Sequence, residues 1–93
     1  METAAELTIL GTYRETLPCA ITACEGRDVR LRLGRRVPPG SAVRIALPDT
    51  LLLGEVVACA GSRGAFDVTL EVEQVLRHTA ALAAMARRFL DDA

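Results

Sequence analysis

The sequence contains no lysine, no asparagine and no tryptophan. It has one histidine, one tyrosine and two phenylalanines. Each shortage removes a class of function. Without lysine there is no Gly-x-x-x-x-Gly-Lys-Ser/Thr phosphate loop, and no Gly-x-Gly-x-x-Gly occurs either. His78 is the sole histidine and no Cys-x-x-Cys is present, so the usual zinc ligand sets are missing. Exposed aromatics are too few to serve as stacking platforms for nucleic acid: Phe66 and Phe89 read as core residues, leaving Tyr13. The two serines, Ser41 and Ser62, both fall in predicted turns, and neither the serines nor the cysteines show a spacing to His78 that suggests a nucleophile and its base. No catalytic residue, cofactor or metal is expected, and the chain is read as non-enzymatic. No apolar run approaches the roughly 20 residues of a membrane helix, since Leu51-Leu52-Leu53 is cut by Gly54-Glu55. Met1 to Glu6 is acidic and lacks the pattern of a secretory signal. A cytoplasmic location is therefore expected.

Cysteine is also scarce. Cys19, Cys24 and Cys59 are odd in number, which argues against a disulfide framework. They read as small, partly buried strand residues. On one extended strand, Cys19 and Cys24 would point to opposite faces.

What remains is enough for one small domain. Of 93 residues, 51% are hydrophobic and 25% charged, which excludes a disordered tail. The formal net charge is −1, so the chain as a whole is not drawn to polyanions or anionic membranes. Residues 1–16 read as an N-terminal arm, with Leu7-Thr8-Ile9-Leu10 either a short strand or a packed segment. Residues 17–73 read as barrel strands. Val29-Arg30-Leu31-Arg32-Leu33, Val43 to Leu47 and Phe66 to Val72 alternate with period two, and Leu17 to Cys24 sets Leu17, Cys19, Ile21 and Ala23 on one face against Ala20, Thr22 and Cys24 on the other. Leu51 to Ala60 adds another strand, with Gly54 as a bulge or bend. Between them lie turn signals: Glu25-Gly26-Arg27-Asp28, Pro38-Pro39-Gly40, Pro48-Asp49-Thr50 and Gly61-Ser62-Arg63-Gly64. Strands at this spacing, without long helices between them, predict a mainly β, antiparallel barrel of about six strands, since closure removes exposed edges. After Glu73 the apolar spacing changes. Val75, Leu76, Thr79, Leu82, Ala83, Ala86, Phe89 and Leu90 predict an amphipathic C-terminal helix over 74–90. Its stripe needs a cover: the barrel's own side or open end, a second copy, or a partner protein.

One feature is uneven. Six arginines, Arg27, Arg30, Arg32, Arg35, Arg36 and Arg44, occur between positions 27 and 44 with one acid, Asp28. Guanidinium forks suit phosphate and carboxylate recognition. Arg14, Arg27, Arg30, Arg32, Arg35 and Arg36 form the candidate anion-binding patch. The competing reading is a solvated strand face, its arginines paired with Asp67, Glu55, Glu71 and Glu73 on neighbouring strands.

The order of elements resembles the PilZ domain. It is carried by Val29 to Leu33, then Val37-Pro38-Pro39-Gly40-Ser41-Ala42-Val43-Arg44-Ile45, then Leu53-Gly54-Glu55-Val56-Val57, a glycine-containing hairpin, and Phe66 to Val72. The resemblance spans about residues 17–90. It implies a small β-barrel with a C-terminal helix, and in many members binding of cyclic dimeric GMP. Two motifs carry that binding in the family, and this chain departs from both. For Arg-x-x-x-Arg it offers Arg14 followed by Pro18. For Asp/Asn-x-Ser-x-x-Gly it places Ala23, Glu25 and Asp28. The resemblance thus implies an adaptor that works through protein contacts, by a partner protein or self-association, without the family's usual ligand mode. A receptor for cyclic dimeric GMP or another anion, built on the arginine cluster, is the alternative.

Overall fold

The computed structural model describes residues 2–11 and 13–77. Its described residues form six strands: β1 (Thr3–Ile9), β2 (Glu15–Glu25), β3 (Asp28–Leu33), β4 (Ala42–Leu47), β5 (Thr50–Ser62) and β6 (Ala65–Arg77). They close into an antiparallel barrel in the order β1-β2-β3-β6-β5-β4, with β1 and β4 completing the ring. The mainly β, closed-barrel expectation holds.

Turn chemistry explains the hairpins. Gly26-Arg27 joins β2 to β3, and Gly26 takes a left-handed φ of 59° that costs glycine little. Arg63-Gly64 joins β5 to β6 with both residues at positive φ, 54° and 80°. Such two-residue turns match the right-handed twist of the strands they connect. The single long connection, from β3 to β4, bypasses β6 and β5. There Pro39 and Gly40 occupy the centre of a type II turn: Gly40 has φ 93°, and the Ser41 N–H donates to the Pro38 carbonyl at 3.2 Å. The same connection carries Val37, which is fully buried in the core.

The inward faces supply an aliphatic core. Val29, Leu31 and Leu33 of β3 lie opposite Leu70, Val68 and Phe66 of β6. Val43 and Ile45 of β4 lie between Ile9 and Leu7 of β1 and Gly54 and Leu52 of β5. Leu7, Leu31, Val37, Val43, Ile45 and Leu70 are fully shielded from solvent. Each such side chain contributes about 1.5–3 kcal/mol of burial free energy. Phe66 is only half-buried, so the core is aliphatic rather than aromatic.

Three irregularities bend the strands, as closure of a small barrel requires. They lie between Ile21 and Ala23 in the β2–β3 pair, and at Leu53/Gly54 and Val56/Ala58 in the β5–β6 pair. Each changes the phase of the alternation. Cys19 is buried on the inward face, but after the shift Ala23 pairs with Arg30 on the wet face and Cys24 pairs with buried Val29.

Two sequence expectations change here. Thr3–Ile9, assigned above to an N-terminal arm, is a full barrel strand paired on both sides. Residues 74–77, assigned to the start of a helix, continue β6 and pair with Thr50 to Leu53 of β5. The shift at Glu73 ends the period-two alternation after Val72 although the chain stays extended, so Val75 and Leu76 lose the strand pattern and read with the apolar positions that follow. The rest of the predicted helix, 78–90, lies outside the described residues, as does His78.

Candidate functional site

The arginine-rich segment is carried by β3 and its two flanks. Because Val29, Leu31 and Leu33 must face the core, Arg30 and Arg32 are forced outward. They stand over a shallow groove of about 380 Å³ on the outer surface, lined also by Thr22, Ala58, Ala60 and Thr69. Small side chains on β5 leave that groove open. The two arginines differ in their surroundings. Arg32 Nη1 donates to Glu2 Oε1 at 3.2 Å and Arg32 Nε to Asp67 Oδ1 at 3.5 Å. Arg30 lies opposite Thr69 on β6 and has no acidic partner among the described residues.

The other arginines do not converge on this groove. Arg27 sits in the β2–β3 turn, at the end of the barrel. Arg35 donates to Glu15 Oε1. Arg14 and Arg36 are exposed and make no ion pair among the described residues. Of the four acids expected to neutralise the cluster, Asp67 does so, while Glu2 and Glu15 take part from the N-terminal region. These pairs are solvent-exposed and contribute about 1 kcal/mol or less each. The candidate patch is therefore one partly neutralised pair, Arg30 and Arg32, rather than a six-arginine site.

Two further places went unread in the sequence. The first is a groove of about 460 Å³ at the end of the barrel, between the β2–β3 turn and the last residues of β6. Val29, Leu52, Val72 and Val75 give it an apolar floor, and Arg27, Glu73 and Arg77 stand at its margin. Its existence depends on β6 running six residues beyond Glu71, its last residue paired with β3, a length hidden by the phase shift at Glu73. The second is the partial burial of Arg44 on β4, one of the clustered arginines. It faces outward as its alternation predicts, yet is half-buried, and its Nε is shielded without a hydrogen-bond partner. Beside it on β1, Thr8 is buried and shares a hydrogen bond with Thr16 at 2.9 Å between their hydroxyl oxygens.

Among the described residues no group of three histidine, cysteine or acidic side chains is placed to hold a metal ion. The three cysteines are free. Burial pushes the Cys19 thiol pKa up, which suits a structural residue and not a nucleophile. No helix among the described residues is long and apolar enough to cross a membrane. No family model, curated protein or solved structure matches the chain.

Proposed function

We propose that the chain is a non-enzymatic, PilZ-like signalling or adaptor domain that acts through protein–protein contacts, with the usual cyclic dimeric GMP motifs lost. The observation that carries this reading is the main-chain edge of β6. From Glu73 to Arg77 the strand has no neighbour on its β3 side among the described residues, and Val75 and Leu76 are exposed there. Unpaired edges flanked by apolar side chains are where proteins add strands from partners. The closed six-stranded barrel agrees with the family resemblance, and the dispersal of the arginines, of which Arg32 and Arg35 are paired with acids, agrees with loss of the ligand mode. A cytoplasmic setting accompanies the reading, as does contact through the segment after residue 77.

Isothermal calorimetry with cyclic dimeric GMP tests it. The expected result is no binding heat. Submicromolar binding of the dinucleotide overturns it in favour of a receptor. That second reading has its own support in Arg30, which lacks an acidic partner and lines the outer groove with Thr22 and Thr69. It predicts nucleotide binding that disappears in Arg30→Ala/Arg32→Ala.

A further inference from the structure

We infer that the Glu73–Arg77 edge of β6 pairs with the same edge of a second copy of this chain, joining two barrels through a continuous antiparallel sheet. The inference rests on the protein-contact reading and names its partner. Three observations converge on it.

The edge is open. β3 covers β6 from Phe66 to Glu71, and the last main-chain bond on that side runs from the Val72 N–H to the Arg27 carbonyl at 2.8 Å. On the opposite side β5 remains paired with β6 out to Arg77. The segment is thus held extended by one neighbour, its other row of main-chain groups unpaired among the described residues. A preformed strand needs little further ordering to accept a partner.

The edge is also its own complement. It reads Glu73-Gln74-Val75-Leu76-Arg77. In an antiparallel register centred on Val75, Glu73 of one copy faces Arg77 of the other, twice by symmetry. Gln74 faces Leu76, and Val75 faces Val75. A two-fold axis demands this kind of self-complementarity. Opposite charges directly across an antiparallel pair stabilise it, and like charges oppose it. A parallel register would set Glu73 against Glu73 and Arg77 against Arg77. The charges therefore select both direction and register.

Finally, apolar surface accompanies the edge on both faces. Val75 continues the floor of the barrel-end groove with Leu52 and Val72, and Leu76 lies opposite Leu51 on the outer face. Val75 and Leu76 are 44% and 37% exposed. A second copy would cover them. By contrast, the other unpaired stretch of the long hairpin, Val57 to Ser62 on β5, carries no charge to fix a partner's register.

Five residues per copy make a small interface, so the dimer is weak and depends on concentration. The test is mass measurement by analytical ultracentrifugation of the full chain, from about 10 µM to about 1 mM. Wild type should shift from monomer to dimer across that range. Glu73→Arg and Arg77→Glu each turn both cross-strand pairs into like-charge pairs, and each should raise the dimer dissociation constant at least about tenfold. Glu73→Arg/Arg77→Glu restores the pairing and should return the constant to within about threefold of wild type. Hydrogen exchange provides the second measurement: amides of residues 73–77 should gain protection with concentration, those of 57–62 should not. A monomer at every concentration overturns the inference. So does a dimer indifferent to both single changes, a double variant as weak as the singles, or growth into open filaments, which would signal β5-to-β6 pairing. None of these outcomes changes the nucleotide titration, which tests the functional reading separately.

Discussion

Replacing Gly54 with alanine should damage this barrel far more than adding one methyl group suggests. Gly54 faces the core on β5 opposite Val72, beside the phase shift at Leu53/Gly54. A Cβ there would sit 2.2 Å from the Glu71 carbonyl oxygen and 3.0 Å from both the Glu71 carbonyl carbon and the Val72 Cα. All three neighbours are backbone, so no side chain can swing aside. Ordinary contact requires β5 and β6 to separate by roughly 1 Å, in a core packed like an organic crystal. Overpacking of this kind costs about 1–3 kcal/mol, and a disturbed ladder bond adds about 1 kcal/mol. The sum, about 2–4 kcal/mol, should lower the thermal midpoint by roughly 10–25 °C for a domain of this size. Urea denaturation followed by far-UV circular dichroism measures it. Gly34→Ala is the control: its Cβ would find only the Gly64 carbonyl oxygen at 3.7 Å, and the change should fall within about 0.5 kcal/mol of wild type. If Gly54→Ala proves as mild as Gly34→Ala, the close approach of the two strands is not as described.

Other expectations follow from single residues. Arg63 holds a φ of 54° in the β5–β6 turn, so Arg63→Asn should stabilise the fold by about 0.5–1 kcal/mol, read as a higher denaturation midpoint. Cys19 is 8% exposed whereas Cys24 is open to solvent, so a thiol reagent should label Cys24 at once and Cys19 only on unfolding. Burial raises the Cys19 pKa in the folded state. Its contribution to stability is therefore complete below the unfolded thiol's pKa of about 8.5 and declines as pH rises beyond it, since only the unfolded chain then loses the proton readily. Cys19→Ala should flatten that alkaline decline in a pH series of denaturation curves. Arg32→Ala removes two exposed ion pairs and should cost no more than about 2 kcal/mol, with a smaller loss in high salt.

The sequence was most legible where one rule operated alone. Val29 to Leu33 has no irregularity, and its three inward and two outward residues follow directly from alternation. The Pro38-Pro39-Gly40 turn was equally plain, because proline and glycine each fix a backbone angle. Legibility failed where a strand changed phase. Such a shift keeps the chain extended but displaces every later side chain by one face, so Val75 and Leu76 fall out of the strand pattern and Ala23 looks inward. Thr3 to Ile9 was hidden for a different reason. Its Thr3-Ala4-Ala5-Glu6 stretch has little hydrophobic contrast, and its place was set by two distant strands. The arginine cluster was legible as a composition, but its division among β3, a turn and two loops required knowing which acids lie across from each guanidinium.

Closure through β1 has a kinetic consequence. The β4–β5 and β5–β6 pairs begin at turns of two residues, so those hairpins can zip from local contacts. The β1–β4 seam joins Glu6 to Ala46 and Ile9 to Val43, and the β3–β6 seam joins Leu33 to Phe66. Both bring together chain segments separated by dozens of residues, and loop entropy must be overcome before either seam rewards it. Closing the ring therefore carries an entropic cost that the local hairpins do not. A barrel without β1 would leave both β2 and β4 with an unpaired flank, so a single displaced strand opens two interfaces at once.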